Sequence, residues 1–339
     1  MIQASTSLVS EVRSRVRQSA VGRSWDDFRQ LTCQAMNTPV RMAFRTGRLE
    51  LADEFERSAI DWIARFEARY SRFLPGSVVG QINTNAGGPW LEIDEEACRL
   101  FTTCDEMHGL SRGIFDPASL PLMRLWDWKA DPPRIPDESQ IQAALELCGW
   151  EKVQRRPRHI RLPTRGMGID LGGIGKEFAV DQLIHMARDR GITDVMVDIG
   201  QDLRVSGQPP GKDAWYIGLE EPDQPGHCWT AVRLTDQAVA TSGDYFRSFT
   251  LDGRRYGHIL DPRSGRPVDN RCQSVSVIAP NCVIAGILST AAFILQPNEG
   301  IDLIQRHGGI EACITTDIAR HQTRRFSSCL LYTSPSPRD

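Results

Sequence analysis

Residues 170–176 (DLGGIGK) carry the residue types that bind phosphate. Their pattern predicts a strand, a glycine turn and a helix, so that bare backbone N–H groups and a helix N-terminus would face an anion. Lys176 could add a positive charge there. The segment matches neither the Walker A loop nor the GxGxxG dinucleotide motif. A tight connection whose glycines serve only its geometry is therefore the alternative.

Two further segments could line a ligand pocket or move a proton. The string ATSGDY, residues 240–245, places small hydroxyl residues beside a glycine at the end of a predicted strand, where a ligand could approach the backbone. A plain polar turn is the alternative. The string HILDPRSG, residues 258–265, begins with His258, whose side chain titrates near neutrality and could transfer a proton. An ordinary hydrogen-bonded histidine before a DPxxG turn is the alternative there.

Ser289 and Thr290 are hydroxyl residues within an apolar helical string, AGILSTAAFIL. Such hydroxyls usually bond back to the preceding helical turn. They could instead face a cation, because Mg²⁺ prefers hard oxygen ligands. The local sequence leaves both possibilities open.

The elements that must position these residues mix helices and strands without strict alternation, which favours an α+β fold over a doubly wound sheet. Alternation through Val40, Met42 and Phe44 predicts a strand. Apolar residues from Leu51 to Tyr70, at gaps of three and four, predict an amphipathic helix. The remaining predicted elements are a helix near 95–110, a helix opened by a capping box of Asp137 and Gln140 and closed at Gly149, a helix that stops at Gly191, strands in 194–200, 215–220, 230–236 and 274–280, a hairpin around Asp252 and Gly253, and a final helix from about Cys282 to Leu295 closed by Pro297 and Asn298.

The overall composition argues against several classes of protein. The chain has 339 residues, 40% hydrophobic and 24% charged, with a formal net charge of −3 and no clustered basic face, so no nucleic-acid partner is expected. No apolar run approaches the roughly 18 residues of a membrane span, so no stable membrane insertion is expected. The nine cysteines lack CxxC spacing, which argues against a disulfide framework or a zinc site. Charges interrupt the N-terminus where a signal peptide is apolar, and a cytoplasmic location is expected.

Three segments are predicted along the chain. Residues 1–30 are polar and carry little structural signal, whereas residues 31–328 are expected to form a single compact domain. Residues 329–339 (CLLYTSPSPRD) resemble a read-through translation of a sequencing-library adapter. We expect this tail to be non-native.

In order and spacing, these segments resemble the ApbE family, the FAD:protein FMN transferases. Residues 170–181 (DLGGIGKEFAVD) are similar to the family's DLGGIAKGYAVD, and residues 77–83 (SVVGQIN) to its SExSxIN. The segment from Phe115 to Trp126 looks like FDPTVGPLVNLWG, and residues 197–200 (VDIG) look like the DIGG strand. ATSGDY and HILDPRSG are almost unchanged. The resemblance runs from Met36 to Thr290 and implies an ApbE (T-fold-like) arrangement of mixed sheets packed with helices.

Carried over position by position, the resemblance implies FAD as substrate and Mg²⁺ as cofactor. His258 is the candidate proton acceptor, with Asp244 and Asp261 as the other candidates. The metal would be held by the carbonyl of Gly173 and by Ser289 and Thr290. The residues that would bind FAD are Met36, Phe73, Ser77, Ile114, Phe115, Asp116, Asp170, Gly172, Lys176, Thr241, Ser242, Gly243 and Ile259.

The implied activity is Mg²⁺-dependent transfer of FMN from FAD to a threonine of an acceptor flavoprotein, with release of AMP. Mg²⁺ and fixed N–H donors suit the negative charge that builds on the pyrophosphate. One departure matters, because the family helix usually reads ADALST or ADGLDT with its aspartate on the metal, whereas here it reads AGILST and Gly286 stands at that position. The alternatives are therefore a non-catalytic FAD-binding protein and a Mg²⁺-dependent FAD hydrolase.

Overall fold

The computed structural model describes residues 1–128, 130, 133–243, 248–251 and 253–331. The helices are α1 (Thr6–Gln18), α2 (Leu49–Tyr70), α3 (Val78–Thr84), α4 (Glu95–Leu110), α5 (Leu120–Leu125), α6 (Glu138–Glu146), α7 (Gly175–Asp189), α8 (Cys282–Ile294) and α9 (Pro297–Gln305). The strands are β1 (Val21–Trp25), β2 (Phe28–Ala35), β3 (Thr38–Arg45), β4 (Leu91–Glu92), β5 (Gln154–Arg156), β6 (His159–Arg161), β7 (Val195–Ile199), β8 (Asp202–Ser206), β9 (Trp215–Glu221), β10 (Gln224–Leu234), β11 (Ala238–Gly243), β12 (Ser248–Leu251), β13 (Arg254–Gly257), β14 (Leu260–Asp261), β15 (Arg266–Pro267), β16 (Cys272–Ala279), β17 (Glu311–Thr316) and β18 (Arg320–Gln322).

One long antiparallel sheet organises the molecule. Its strand order is β1-β2-β3-β7-β8-β11-β16-β17-β18, and every neighbouring pair is antiparallel. The described residues also form small sheets from β9 with β10, β12 with β13, β14 with β15, and β4 with β5 and β6. Helices and largely antiparallel strands in this arrangement confirm the predicted α+β class.

Alternation along the strands divides the apolar side chains between two cores. In β3, Met42 and Phe44 belong to the main core, whereas Ala43 between them belongs to a second core on the opposite face of the sheet. Helices α2, α7 and α8 cover the main core, and the β9–β10 hairpin packs over the second. The long sheet therefore fixes α7 and α8 side by side on one face, where the glycine-rich segment and the hydroxyl pair lie.

Several predicted elements are confirmed. The strand through Val40 is β3, the amphipathic helix is α2, and the helix near residues 95–110 is α4. Asp137 and Gln140 form the predicted capping box of α6, although that helix ends at Glu146, before Gly149. Leu251 pairs with Arg254, as the hairpin prediction requires, while Asp252 lies outside the described residues.

Other predictions at this level were wrong. Residues 168–170, at the start of the predicted strand, are not a strand, because the side chain of Asn83 takes the place of a strand partner: its Oδ1 accepts from the N–H of Ile169 (2.7 Å) and its Nδ2 donates to the carbonyl of Ile169 (2.9 Å). The helix predicted from about Cys282 to Leu295 is α8, but it is not the last helix: Pro297 starts α9, where its missing N–H costs no hydrogen bond.

At each end of the chain, the structure shows elements or contacts that the sequence did not indicate. The first 30 residues form α1 and β1, and only Val12 and Val16 of α1 are buried, which explains the faint apolar pattern. At the other end, the N–H of Leu331 donates to the carbonyl of Ala231 (2.8 Å), and residues 332–339 lie outside the described residues. A non-native tail stays a prediction. No helix in the described part of the chain has the length and apolar character needed to cross a membrane.

Candidate functional site

Polar groups fix the crossing of α7 and α8. Asp181, buried on α7, accepts hydrogen bonds from the N–H groups of Cys282 (3.0 Å) and Val283 (3.1 Å) at the start of α8. The same carboxylate forms an ion pair with Arg204 of β8 (2.8 Å). One helical turn earlier on α7, Glu177 lies against Gly286, one turn later on α8. The two helices therefore pass each other in opposite directions, with their register set by Asp181.

At the start of α7, exposed glycine backbone lies next to a positively charged side chain. Gly172 and Gly173 are exposed in the turn that leads into the helix. The ammonium group of Lys176 forms an ion pair with Asp202 of β8 and lies 3.5 Å from Oε1 of Glu177. Burial alone would lower the pKa of Lys176, but the neighbouring carboxylates outweigh burial and raise it. Lys176 is therefore charged at neutral pH, at a helix N-terminus suited to anions.

Glu177 is a buried carboxylate between the two helices. Its side chain is 7% exposed, and burial raises its pKa to about 7, although Lys176 acts in the opposite direction. Oε1 is the oxygen nearest Lys176, and Oε2 accepts no hydrogen bond from the described residues.

Three hydroxyl groups lie together where β11 meets α8. The Oγ of Ser242 is 2.7 Å from the Oγ of Ser289 and 3.0 Å from the Oγ1 of Thr290. Ser289 also donates to the carbonyl of Gly286 (2.9 Å), the back-bonding alternative considered from the sequence. Beside them, Thr241 shares a hydrogen bond of 2.9 Å with Ser276 of β16, and Gly243 ends β11. The fold thus brings the ATSG and LST segments into direct contact.

Asp170 belongs to a second group of contacts, with two residues that follow α2. Arg72 places its Nε 3.1 Å from Oδ1 of Asp170, and its guanidinium carbon lies 4.1 Å from the ring centroid of Phe73. The Phe73 ring is exposed and free to stack on a planar ligand. Burial raises the pKa of Asp170, and Arg72 partly offsets that rise. The sequence analysis did not identify Arg72. Its position next to Phe73 in the chain was the one indication that could have done so.

The FDP segment packs against the glycine turn. The Asp170 N–H donates to the carbonyl of Pro117 (2.8 Å), and a Cβ at Gly173 would lie 3.5 Å from the buried ring of Phe115. Ile114 is buried beside Phe115. Asp116 accepts from the N–H of Ala118 (2.7 Å), and burial raises its pKa. Phe115, Asp116, Asp170, Gly172 and Gly173 thus form one wall.

Met36 and Ser77 have roles in the backbone that the sequence did not indicate. Met36 and Asn37 form the β2–β3 turn with φ of 52° and 58°, and the Met36 N–H donates to Oε2 of Glu67 (2.9 Å). Asn is one of the few residues other than glycine that adopts this conformation readily, which suits Asn37 to the turn. Ser77 is fully buried as the N-cap of α3, accepting from Gly80 (2.8 Å) and donating to the carbonyl of Ser71 (2.7 Å).

The proposed proton acceptor lies apart from these contacts in the chain. His258 and Ile259 are half-buried in the link between β13 and β14, where the carbonyl of Ile259 accepts from Val268 (3.0 Å). Asp261 is paired with Arg263 (2.8 Å) and borders a cavity of about 310 Å³ together with Trp126. Asp244 lies outside the described residues.

The chain resembles known proteins in both sequence and fold. A model of the ApbE family matches residues 36–314. FAD:protein FMN transferases from Treponema pallidum and Klebsiella pneumoniae are each 29% identical, over 252 residues (70% of this chain and 70% of the relative) and over 273 residues (78% and 84%). The crystal structure of the ApbE protein of Thermotoga maritima matches with a TM-score of 0.82 at 29% identity, covering 90% of this chain and 100% of that one. The apo flavinyl transferase ApbE of Pseudomonas stutzeri matches with a TM-score of 0.78 at 26% identity, covering 91% and 97%.

Proposed function

The chain belongs to the ApbE family, and we propose that it is an FAD:protein FMN transferase that moves FMN from FAD onto a threonine of an acceptor flavoprotein and releases AMP. The observation that carries this proposal is the start of α7. Exposed Gly172 and Gly173 and a charged Lys176 lie at this helix N-terminus. Glu177 next to them contacts Gly286 of α8, and Ser289 and Thr290 follow on α8 within about one helical turn.

Two parts of the site suit two parts of FAD, its pyrophosphate and its flat ring systems. The pyrophosphate fits the exposed N–H groups of the glycine turn, where the helix dipole and Lys176 favour negative charge. Asp202 holds the Lys176 ammonium in place. Phe73, backed by Arg72, offers an aromatic face to a flat ring system.

The residues at the α7–α8 crossing also fit a divalent cation. The carbonyl of Gly173 and the hydroxyls of Ser289 and Thr290 are oxygen donors, which Mg²⁺ prefers. When bound, Mg²⁺ would neutralise charge that develops on the pyrophosphate oxygens. No group of three or more His, Cys, Asp or Glu side chains able to hold a metal occurs in the described ranges, so phosphate oxygens would have to complete the coordination.

His258 remains our candidate for accepting the proton of the attacking threonine hydroxyl. Asp261 is a weaker candidate, because its carboxylate already forms an ion pair with Arg263. Loss of a general base typically slows a reaction by about 10²-fold or more. We therefore expect His258→Asn to lower kcat while FAD affinity stays close to that of the wild type.

The test is to incubate the purified protein with FAD, Mg²⁺ and a recombinant acceptor domain that carries one candidate threonine. Mass spectrometry would detect covalent FMN on the acceptor, and AMP would be assayed in the same mixture. An acceptor with that threonine changed to alanine is the matched control.

Three outcomes separate the candidate functions. FMN on the acceptor with AMP in solution supports the transferase, provided the alanine control stays unlabelled. AMP with no label on any acceptor supports the FAD hydrolase, which shares the pocket and differs in the attacking hydroxyl. Bound FAD with no AMP supports the non-catalytic protein, the alternative that Gly286 favours.

A further inference from the structure

We propose that Glu177 supplies the carboxylate ligand for the divalent cation that Gly286 cannot supply, so that this ligand has moved from α8 to α7. The inference rests on the proposed function, because the cation is the one that would act on the FAD pyrophosphate. It adds Glu177, which the family resemblance does not indicate, to the ligands that the resemblance implies.

Positions 177 and 286 share one volume between the helices. A Cβ built on Gly286 would lie 2.6 Å from Cγ of Glu177 and 3.0 Å from its Oε1. Contacts this short force atoms to move, so the crossing has room for one acidic side chain at a time. Gly286 is therefore the condition under which Glu177 fits.

The two departures from the family strings are reciprocal. In DLGGIAKGYAVD the position of Glu177 is glycine, and in ADALST the position of Gly286 is aspartate. Here the carboxylate and the glycine have exchanged helices. The exchange keeps a carboxylate at the crossing, which a simple loss of the aspartate would not.

The Oε2 atom of Glu177 is the second indication that a ligand binds here. The residue is 5% exposed, and its Oε2 has no hydrogen-bond donor among the described residues. An unsatisfied buried carboxylate oxygen is costly, and a cation would remove that cost. Ser289, bonded to the carbonyl of Gly286, and Thr290 bring hydroxyl oxygens to the same crossing. One carboxylate with such oxygens and substrate phosphates is a usual environment for Mg²⁺.

The contact between Glu177 and Gly286 also means that Gly286→Asp alone should not restore the family's arrangement of metal ligands. The added side chain would enter the volume that Glu177 occupies, and it would place a second carboxylate beside a buried one. Restoring the family arrangement requires both changes, Glu177→Gly together with Gly286→Asp.

The experiment measures Mn²⁺ binding by electron paramagnetic resonance of the free ion, at saturating FAD, with thermal unfolding of each variant as a check on folding. We expect Glu177→Gln to weaken Mn²⁺ binding about tenfold or more, since even indirect partners of a metal commonly matter by that factor. The double variant should recover most of the affinity, and Gly286→Asp alone should unfold at a lower temperature than either. Glu56→Gln is the matched control, because Glu56 also has a buried carboxylate oxygen that accepts no hydrogen bond from the described residues, but it lies on α2 with Arg29 3.8 Å away.

The outcomes distinguish this inference from the proposed function. Wild-type Mn²⁺ affinity in a folded Glu177→Gln variant overturns the role of Glu177 and leaves FMN transfer intact. A double variant that folds and binds no Mn²⁺ also overturns the exchange of ligands. Wild-type protein that binds FAD with no Mn²⁺ overturns the metal-dependent function and this inference together.

Discussion

At the α7–α8 crossing, Asp181 binds two N–H groups of α8 and the guanidinium of Arg204 on β8. In the DPRSG turn, residues 261–265, the carboxylate of Asp261 instead binds Arg263, and its carbonyl accepts from the N–H of Gly265. Both regions derive from strings that stand out in the sequence. The partners of Asp181 are distant in the chain, whereas the carboxylate and carbonyl of Asp261 bind partners two and four residues away.

The glycine in each region shows what that difference means. Gly286 has an ordinary backbone and is needed for the space that Glu177 fills. Gly265 has φ of +68°, which is left-handed, and a Cβ there would also lie 2.8 Å from Ile141. Gly286 leaves space for the side chain of Glu177, whereas Gly265 allows a left-handed backbone conformation. A change at the first can be compensated by its partner, whereas a change at the second cannot.

The largest effect in this comparison should come from Asp181→Ala. The change leaves the largely buried Arg204 without its ion-pair partner and removes the acceptor from two N–H groups at the start of α8. Breaking a buried pair on one side costs about 3–5 kcal/mol of unfolding free energy. Urea denaturation would measure it.

Asp189→Ala is the control for that variant, since Asp189 is exposed near the end of the same helix. We expect it to stay within about 0.5 kcal/mol of the wild type. Equal losses for the two variants would show that the crossing is not held by Asp181.

Gly265→Ala should have the next largest effect, about 2–3 kcal/mol, because left-handed backbone strain and overpacking against α6 add. Gly191→Ala is the matched control: its φ is +78° and an added Cβ would have nothing within 4 Å. The difference between the two variants in urea denaturation isolates the packing contribution. A Gly265→Ala variant no less stable than Gly191→Ala would mean that the turn does not pack on α6 as described.

The same contrast explains what could be predicted from the sequence. The turn after His258, the capping box of α6 and the periodic helix α2 depend on residues close in the chain, and each was predicted. The strand before Gly172 was predicted wrongly, because Asn83, 86 residues from Ile169, supplies the hydrogen bonds that a strand neighbour would have made. No local pattern contains that information.

For the candidate site, the family resemblance indicated the strings but not the contacts between them. The sequence indicated Lys176, Ser289 and Thr290, yet missed Asp202, Arg72 and Glu177. Asp202 contacts Lys176, Arg72 contacts Asp170, and Glu177 contacts Gly286. These contacts form only in the folded chain. In the sequence, Gly286 predicts a weakened metal site. Its contact with Glu177 in the structure gives a reason for a glycine at this position.

The smallest effect should come from Arg263→Gln in the turn. The Arg263 side chain is 54% exposed, whereas that of Arg204 at the crossing is 11% exposed, so water and salt already screen the pair with Asp261. Exposed pairs contribute about 0–1 kcal/mol, and we expect a loss of about 0.5 kcal/mol or less. Arg204→Gln, measured by the same urea denaturation, should cost several times more, because it leaves Asp181 buried with one partner fewer. If raising the salt concentration weakened the Arg204 pair as much as the Arg263 pair, burial would not be what separates the two regions.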